Sequence, residues 1–589
     1  MNSNDKKSTC PLDCYDGCAI IYKDGKLKGD KCHPVTKGYL CSKMNKFLEY
    51  DRLKSASFEG KEISLDRAIE ILIKKLNEHK EDKNIFFQGS GNLGRMQNIT
   101  KEFFTKFGFY GTSGSLCDGA GNEGIVLGRG ANLLVPVSEV EKSEVIVVWG
   151  RDIHTSNTHF LPYLKDKKII VIDPYRTKLS KNADLYLQIK PRGDFFFALL
   201  VARIIYMQQM ENSNYIEKFT NNFDDFKELF ESFHMKQLSH RSGIDIDKAW
   251  EMVDMIHNKK TLFLVGIGVQ KYFTGHFVLR AIDSLAAMLG LFGKDGSGVS
   301  FLSDSFYGFK SSIPDFSKKV SIPTVSFSKF DIVFIQGANP AVSMPNSKKV
   351  IEELKKAKFV VYFGLYENET SKLANLVLPA VDFLSKNDIR TTYGHEYIGL
   401  MPKLKEDKNG ISEYDLSSCL MDKIFHEKLK DEKEYINKIL SSNAIKKDNY
   451  YISKNYIKNP YKEGFYTNNG KFNFLDEYED DFEEEYEEDD EGRYYLITKK
   501  YKNSLNSSFK YDNFLYIPPF LGFEDGETVE LDSGYASARF KIKIDKNLRN
   551  DTLMCYCSNR YYNHLTPSIS SMEGECAVYQ ELKVSLKKV

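Results

Sequence analysis

Val145-Ile146-Val147-Val148-Trp149-Gly150-Arg151-Asp152 and Ile332-Val333-Phe334-Ile335-Gln336-Gly337-Ala338-Asn339-Pro340 share one pattern. Each is a short apolar run of the kind buried on both faces of a parallel sheet, and each ends in a glycine followed by polar residues. After the first copy, a helix-like stretch leads to a strand over 168–172, closed by Asp173-Pro174, and then to Ala183-Asp184-Leu185-Tyr186-Leu187. After the second, a helix over 347–356 leads to a strand over 359–363, a polar loop through Glu367 and Thr370, and Ala374-Asn375-Leu376-Val377-Leu378. This repeated order predicts an α/β core, and open α/β sheets bind ligands beyond the carboxyl ends of their strands. Two such units predict two nucleotide-type sites. Two similar units with no ligand are the plainer alternative.

Outward from this core, residues 1–55 are turn-rich, with a strand over 19–22, a turn at Asp24-Gly25 and a return over 26–28. A helix is predicted over 65–77 from Ala68, Ile71, Leu72 and Leu76. After Gly492 the chain turns β-like, with strands over 493–497, 527–531, 540–544 and 578–586, which predicts a C-terminal β-barrel. The expected division is 1–55, 56–475, a linker over 476–492, and the barrel over 493–589.

Lys plus Arg and Asp plus Glu number 82 each in 589 residues, so no global basic excess points to nucleic acid. That balance hides a local one: 13 of the 16 residues from Asp476 to Glu491 are acidic, which reads as a solvated linker or a docking site for a basic partner. The longest apolar run, 195–207, contains Arg203 and is short of the ~20 residues a membrane span needs. The first ten residues are polar and offer no secretory leader, so a cytoplasmic protein is expected.

Five of the ten cysteines, Cys10, Cys14, Cys18, Cys32 and Cys41, fall in the first 41 residues, and the next is Cys117. Such a cluster in a reducing compartment points to metal ligation. Three close cysteines and one distant one, Cys10, Cys14, Cys18 and Cys41, suit a [4Fe–4S] cube. Zinc is the rival, although its usual spacing is two CxxC pairs. Cys32 and the adjacent His33 read as bystanders. Gly89-Ser90-Gly91-Asn92-Leu93-Gly94 matches a dinucleotide fingerprint, but no acidic residue ends a second strand about twenty residues on, so a nicotinamide site is not expected.

Thr9-Cys10-Pro11-Leu12-Asp13-Cys14-Tyr15-Asp16-Gly17-Cys18 followed by His33-Pro34-Val35-Thr36-Lys37-Gly38-Tyr39-Leu40-Cys41 resembles the N-terminal signature of the dimethyl sulfoxide reductase family of molybdopterin oxidoreductases. The resemblance continues through Trp149-Gly150, Asp173-Pro174-Tyr175-Arg176-Thr177, Pro191-Arg192-Gly193-Asp194, Gly337-Ala338-Asn339-Pro340 and Leu376-Val377-Leu378-Pro379-Ala380. It ends at Phe465-Tyr466-Thr467-Asn468-Asn469-Gly470-Lys471, in the family's order. The resemblance implies an α/β fold with an N-terminal Fe–S β-rich domain, two related α/β dinucleotide-binding domains and a C-terminal β-barrel closing over the cofactor. The implied cofactors are a [4Fe–4S] cluster and bis-molybdopterin guanine dinucleotide carrying Mo or W.

Carried over by position, the first dinucleotide contacts fall on Trp149, Gly150, Arg151, Asp152, Asp173, Pro174, Arg176, Thr177, Arg192, Gly193 and Asp194, with Gly266, Gln270 and Asn339 in the same pocket. The family's metal ligand corresponds to Cys117 in Gly114-Ser115-Leu116-Cys117-Asp118-Gly119-Ala120-Gly121, and a thiolate suits such a soft centre. Asp118 then stands beside the metal as a proton carrier, and Lys43 between cluster and pterin. Ser385, where many members have an acid, and Asn469, where Ser is common, are departures that leave the second dinucleotide site less defined. The expected function is two-electron reduction of an oxo- or sulfur-containing small substrate, with electrons from a separate protein or subunit. Alternatives are a formate dehydrogenase-like reaction, a non-redox hydratase, and an electron-transfer subunit without active metal.

Overall fold

The computed structural model describes residues 6–90, 93–303, 309–447, 450–480 and 492–589. They divide into two compact units.

The first unit draws on 1–113, 306–456 and 502–511. It opens with an antiparallel three-stranded sheet, Lys6–Thr9, Ala19–Lys23 and Lys26–Gly29, whose hairpin turns at Asp24 and Gly25, both at positive φ. Its main sheet has six strands in the order Lys61–Ile63, Ala56–Phe58, Leu376–Pro379, Phe359–Gly364, Ile332–Gln336 and Asn84–Gln88. The last four are parallel and almost wholly buried, as their unbroken apolar runs demand. The helix Leu65–Glu78 is started by Ser64, whose hydroxyl accepts from the Arg67 N–H, and it buries Ala68, Leu72 and Leu76. Phe86, Phe104, Phe316 and Phe334 stack in the core beneath the sheet.

The second unit draws on 114–305, 457–501 and 512–589. Its five-stranded parallel sheet runs Leu185–Leu187, Lys168–Ile172, Val145–Trp149, Thr261–Val265 and Gly298–Phe301. The repeat is therefore spatial as well as sequential: 185–187, 168–172 and 145–149 occupy the same order as 376–379, 359–364 and 332–336. In both sheets the next strand comes from a distant part of the chain, downstream in one and upstream in the other. The helix Asp194–Met207 is apolar around its circumference and buried on nearly every face.

The helices Gly119–Arg129 and Gly275–Met288 lie against each other at Gly124. A β-carbon on Gly124 would lie 2.2 Å from the His276 carbonyl oxygen, so only glycine permits this approach. The contact encloses a bidentate ion pair in which Arg129 Nε lies 2.6 Å from Asp283 Oδ2, both side chains having no exposure. Breaking such a pair strands a buried charge, so Asp283→Ala should cost roughly 3–5 kcal/mol, read as a lowered urea midpoint with unchanged slope. A loss below about 1 kcal/mol would show that the pair is replaceable by water.

The C-terminal strands close into a six-stranded barrel: Arg493–Lys499, Thr552–Tyr556, Leu515–Ile517, Ser537–Ile544, Thr528–Asp532 and Lys583–Lys588. Two of these, Leu515–Ile517 and Thr552–Tyr556, were not legible as strands. Conversely, the expected strand over 578–586 forms only from Lys583. Residues 577–580 instead run as buried irregular chain, with the Ala577 and Gln580 N–H groups donating to the Ser115 and Lys271 carbonyls. The start of the acidic run also departs from a solvated linker. Tyr478 stacks on Phe195 with ring centroids 4.1 Å apart, and Asp476 and Asp480 pair with Arg280 and Arg192. Residues 481–491 of that run lie outside the described residues. Among the described residues no helix is long and apolar enough to cross a membrane.

Candidate metal and cofactor site

In the first unit, Cys10 follows the strand Lys6–Thr9 and Cys18 precedes Ala19–Lys23, so the intervening loop is closed by its own hairpin, with Cys10 N–H donating to Cys18 O at 2.8 Å. Cys41 caps the short helix Ser42–Asn45. The loop is fastened from outside by a segment with no sequence signal of its own. Arg390, with no exposure, donates to the carbonyls of Cys10, Leu12 and Cys14. Tyr393 donates to Asp13, and His395 Nε2 meets the Asp16 carbonyl at 2.9 Å. Gly17 is at positive φ, and a β-carbon there would collide with Thr392.

The four sulfurs of Cys10, Cys14, Cys18 and Cys41 feel one another's charge. Cys32 lies apart and exposed, its N–H donating to Asp30. Burial pushes the Cys10 thiol up to about 12, and those of Cys14 and Cys18 well above the ordinary range. Buried thiols of this kind become thiolates only against strong positive charge, which a metal centre supplies. Among the described residues no three of these sulfurs lie within 4.8 Å of one another. His33 is committed to structure: its Nδ1 accepts from the Thr36 N–H at 3.1 Å. Lys43 is partly exposed, and its Nζ donates to the Lys502 carbonyl at 3.2 Å.

In the second unit, Cys117 stands exposed on the loop leading into the helix Gly119–Arg129. Everything around its thiol is tied down. The Cys117 and Asp118 N–H groups both donate to Ser115 Oγ, at 2.8 and 3.1 Å. Gln270, wholly buried, donates to the Cys117 carbonyl at 2.7 Å and accepts from the Gly121 N–H at 2.8 Å. Lys271 Nζ donates to the Leu116 carbonyl at 2.6 Å. Asp118 receives hydrogen bonds from Ser115 (3.1 Å) and Ser303 (2.6 Å), which fix its carboxylate. Ser303, Lys271 and the chain around Cys576 carry no sequence motif; only the fold brings them to Cys117.

The loop after Val145–Trp149 turns at Gly150, at positive φ, and Gly266 must be glycine because a β-carbon would strike the Gly150 carbonyl. Asp152 Oδ1, His154 Nδ1 and Asn157 Nδ2 are buried with no protein partner, while Asp152 Oδ2 lies 3.0 Å from Lys499. Orphaned polar atoms gathered at a strand's carboxyl end fit a polar, hydrogen-bonding ligand such as a dinucleotide. Arg151 donates to Asn157 and lies over Phe160. Burial pushes the Asp173 carboxyl up to about 7, although it accepts from the Tyr175 N–H. Arg176 is exposed beyond Pro174, and Thr177 is buried with its hydroxyl accepting from the Ser180 N–H.

Trp149 and Asp194 sit deeper than contacts at a loop surface would: the indole, with no exposure, donates to Asp194 at 2.6 Å, and burial raises that carboxyl to about 7. They anchor the strand end and the helix start. Arg192, next to Gly193, is in the left-handed region and is held between Asp480 and Glu581. In the first unit, Asn339 joins two loops, donating to Glu369 at 2.9 Å and accepting from the Thr370 hydroxyl at 2.8 Å. Of the glycine-rich stretch from Gly89, residues 91 and 92 lie outside the described residues. A β-carbon on Gly89 would lie 2.6 Å from the Gly337 carbonyl oxygen, so this glycine serves strand packing.

Residues 59–405 match the family model described as molybdopterin oxidoreductase. The chain belongs to the molybdopterin oxidoreductase family. It is similar to a probable oxidoreductase, YoaE, of Bacillus subtilis, 26% identical over 68% of this chain and 65% of that protein. It is also similar to the alpha subunit of an F420-dependent formate dehydrogenase of Methanocaldococcus jannaschii, 25% identical over 64% of each. The aligned part thus spans just under two thirds of these relatives' length. Among solved structures, acetylene hydratase from Pelobacter acetylenicus shares the fold, with a TM-score of 0.82 over 99% of this chain and 100% of that one at 16% identity. Membership of the molybdopterin oxidoreductases accounts for the paired α/β sheets, the cysteine-bearing β region before them and the barrel after them.

Proposed function

We propose that the chain is a molybdenum- or tungsten-dependent oxidoreductase that reduces a small oxo- or sulfur-containing substrate by two-electron atom transfer. The metal would be carried on bis-molybdopterin guanine dinucleotide. The observation that supports this most directly is Cys117: an exposed thiol on a loop whose neighbouring carbonyls and amides are all held by hydrogen bonds. A group so placed is preorganised to ligate. When bound, the metal and pterin supply two-electron redox chemistry at a soft, sulfur-rich centre. The chain's residues do the rest. Cys117 would ligate the metal, Asp118, oriented by Ser115 and Ser303, would carry a proton to or from substrate, and the loops around Gly150, Asp173 and Asn339 would hold the dinucleotides.

Cys10, Cys14, Cys18 and Cys41 would hold a [4Fe–4S] cluster that passes single electrons from a separate protein or subunit. Lys43 follows Cys41 by two residues and would lie on that path. Lys43→Ala is expected to leave metal content unchanged and to slow intramolecular electron transfer by about tenfold, the size of an outer-shell effect. Rapid-mixing reduction followed at the cluster measures it, and an unaltered rate would make Lys43 an ordinary surface lysine.

Metal analysis of anaerobically purified protein, with extraction of the pterin nucleotide, tests the reading as a whole. Protein with neither Mo nor W after expression in a host that makes the cofactor would end it. A second reading, formate oxidation, is favoured by the formate dehydrogenase relatives. Asp118, which follows Cys117 in the chain, argues for the first, because a carboxylate beside the metal would disfavour an anion such as formate. Formate-dependent reduction of a dye acceptor separates the two. A hydratase, the activity named for the solved neighbour, would turn over with no acceptor at all.

A further inference from the structure

We propose that Lys271 is a positioning residue of the Cys117 site and the fixed positive counter-charge of the centre formed there. The inference rests on the reading of Cys117 as a metal ligand. Lys271 is only 8% exposed. Its ammonium donates to the Leu116 carbonyl, one residue before the thiol, and lies 5.0 Å from the centroid of the Tyr579 ring. Tyr579 in turn feels the charge of Cys117, so lysine, phenol and thiol share one neighbourhood.

Among the described residues no carboxylate lies within ion-pair distance of Lys271. The acids two residues from its partners Leu116 and Tyr579 are committed elsewhere: Asp118 to Ser115 and Ser303, and Glu581 to Arg192 and the Phe273 N–H. A buried ammonium with no anion is costly, and proteins keep one where an anion is to be bound. Here the missing anion would be the sulfur-rich centre, whose negative charge includes the Cys117 thiolate. A carbonyl and an aromatic face hold the ammonium in position without neutralising it. The same hydrogen bond fixes the loop, which separates two roles that experiment can distinguish.

Lys271→Gln keeps a donor for the Leu116 carbonyl and removes the charge; Lys271→Arg keeps the charge. Redox titration of the metal centre by EPR is the measurement, on protein with known metal and pterin content. Lys271→Gln should lower the metal's midpoint potential, because the more oxidised metal is no longer disfavoured by a neighbouring cation, while the [4Fe–4S] potential stays put. Lys271→Arg should stay near wild type. Equal potentials in all three proteins, or equal shifts in both variants, would overturn the charge role and leave a structural tie. Lys271→Met is a second neutral variant. Metal loading lost in both neutral variants but kept in Lys271→Arg would support the counter-charge, whereas loading lost in all three would overturn it. The sulfur count at the metal in Cys117→Ala, measured separately, shows whether the ligand assignment itself has failed.

Discussion

Cys117→Ala should retain cluster iron and pterin, lose one sulfur from the metal's coordination sphere, and lose activity by more than about 100-fold. Loss of an outer-shell partner costs about 10–100-fold in metal sites, and a direct ligand exceeds that. The backbone of the loop should survive the change, because Ser115, Gln270 and Lys271 hold it through main-chain groups that alanine keeps. Cys117→Ser should load metal as well but with altered EPR parameters, since an alkoxide is a harder donor than a thiolate. Metal-edge absorption spectroscopy counts the sulfurs. Identical counts and spectra in wild type and Cys117→Ala would mean that the thiol is merely displayed, and the proposed site would fall with it.

The second large effect is expected at the N-terminus. Cys14→Ala should abolish the EPR signal of the reduced [4Fe–4S] cluster, and Cys32→Ala should leave it intact. Cys14 shares a buried pocket with Cys10, Cys18 and Cys41, whereas Cys32 is outside it and exposed. Of the thiols left without iron, those of Cys10 and Cys18 are pushed up by burial and would be held protonated, so partial assembly is not expected to be stable. One zinc per chain and no iron in anaerobic protein would overturn the assignment.

The local elements were legible because their signals are local. The runs 145–149 and 168–172 carry enough apolar residues to be strands in any buried sheet, and each forms as read. Ser64 and the spacing of Ala68, Leu72 and Leu76 set the first long helix. The cysteine spacing marked the cluster loop, and the glycines around Cys117 marked a loop able to approach a ligand. The start of the acidic run misled: composition reads as a solvated linker, yet Tyr478 finds an aromatic pocket and Asp480 an arginine, contacts that no window of sequence contains.

By itself, then, the sequence determined the two α/β repeats, the cysteine loop, and which thiol stands on a glycine-rich turn, because strand burial, turn chemistry and ligand spacing are each written within a few residues. The tertiary structure alone decided which strands lie beside those repeats, drawing Asn84–Gln88 from upstream and Thr261–Val265 from downstream. It also decided what holds each loop. Arg390 reaches the carbonyls of Cys10, Leu12 and Cys14 across more than 370 positions of chain, and Lys271 and Ser303 reach Cys117 and its neighbours across more than 150. A buried carbonyl or carboxylate must find a donor wherever the fold can bring one, and that partner's place in the chain obeys no local rule.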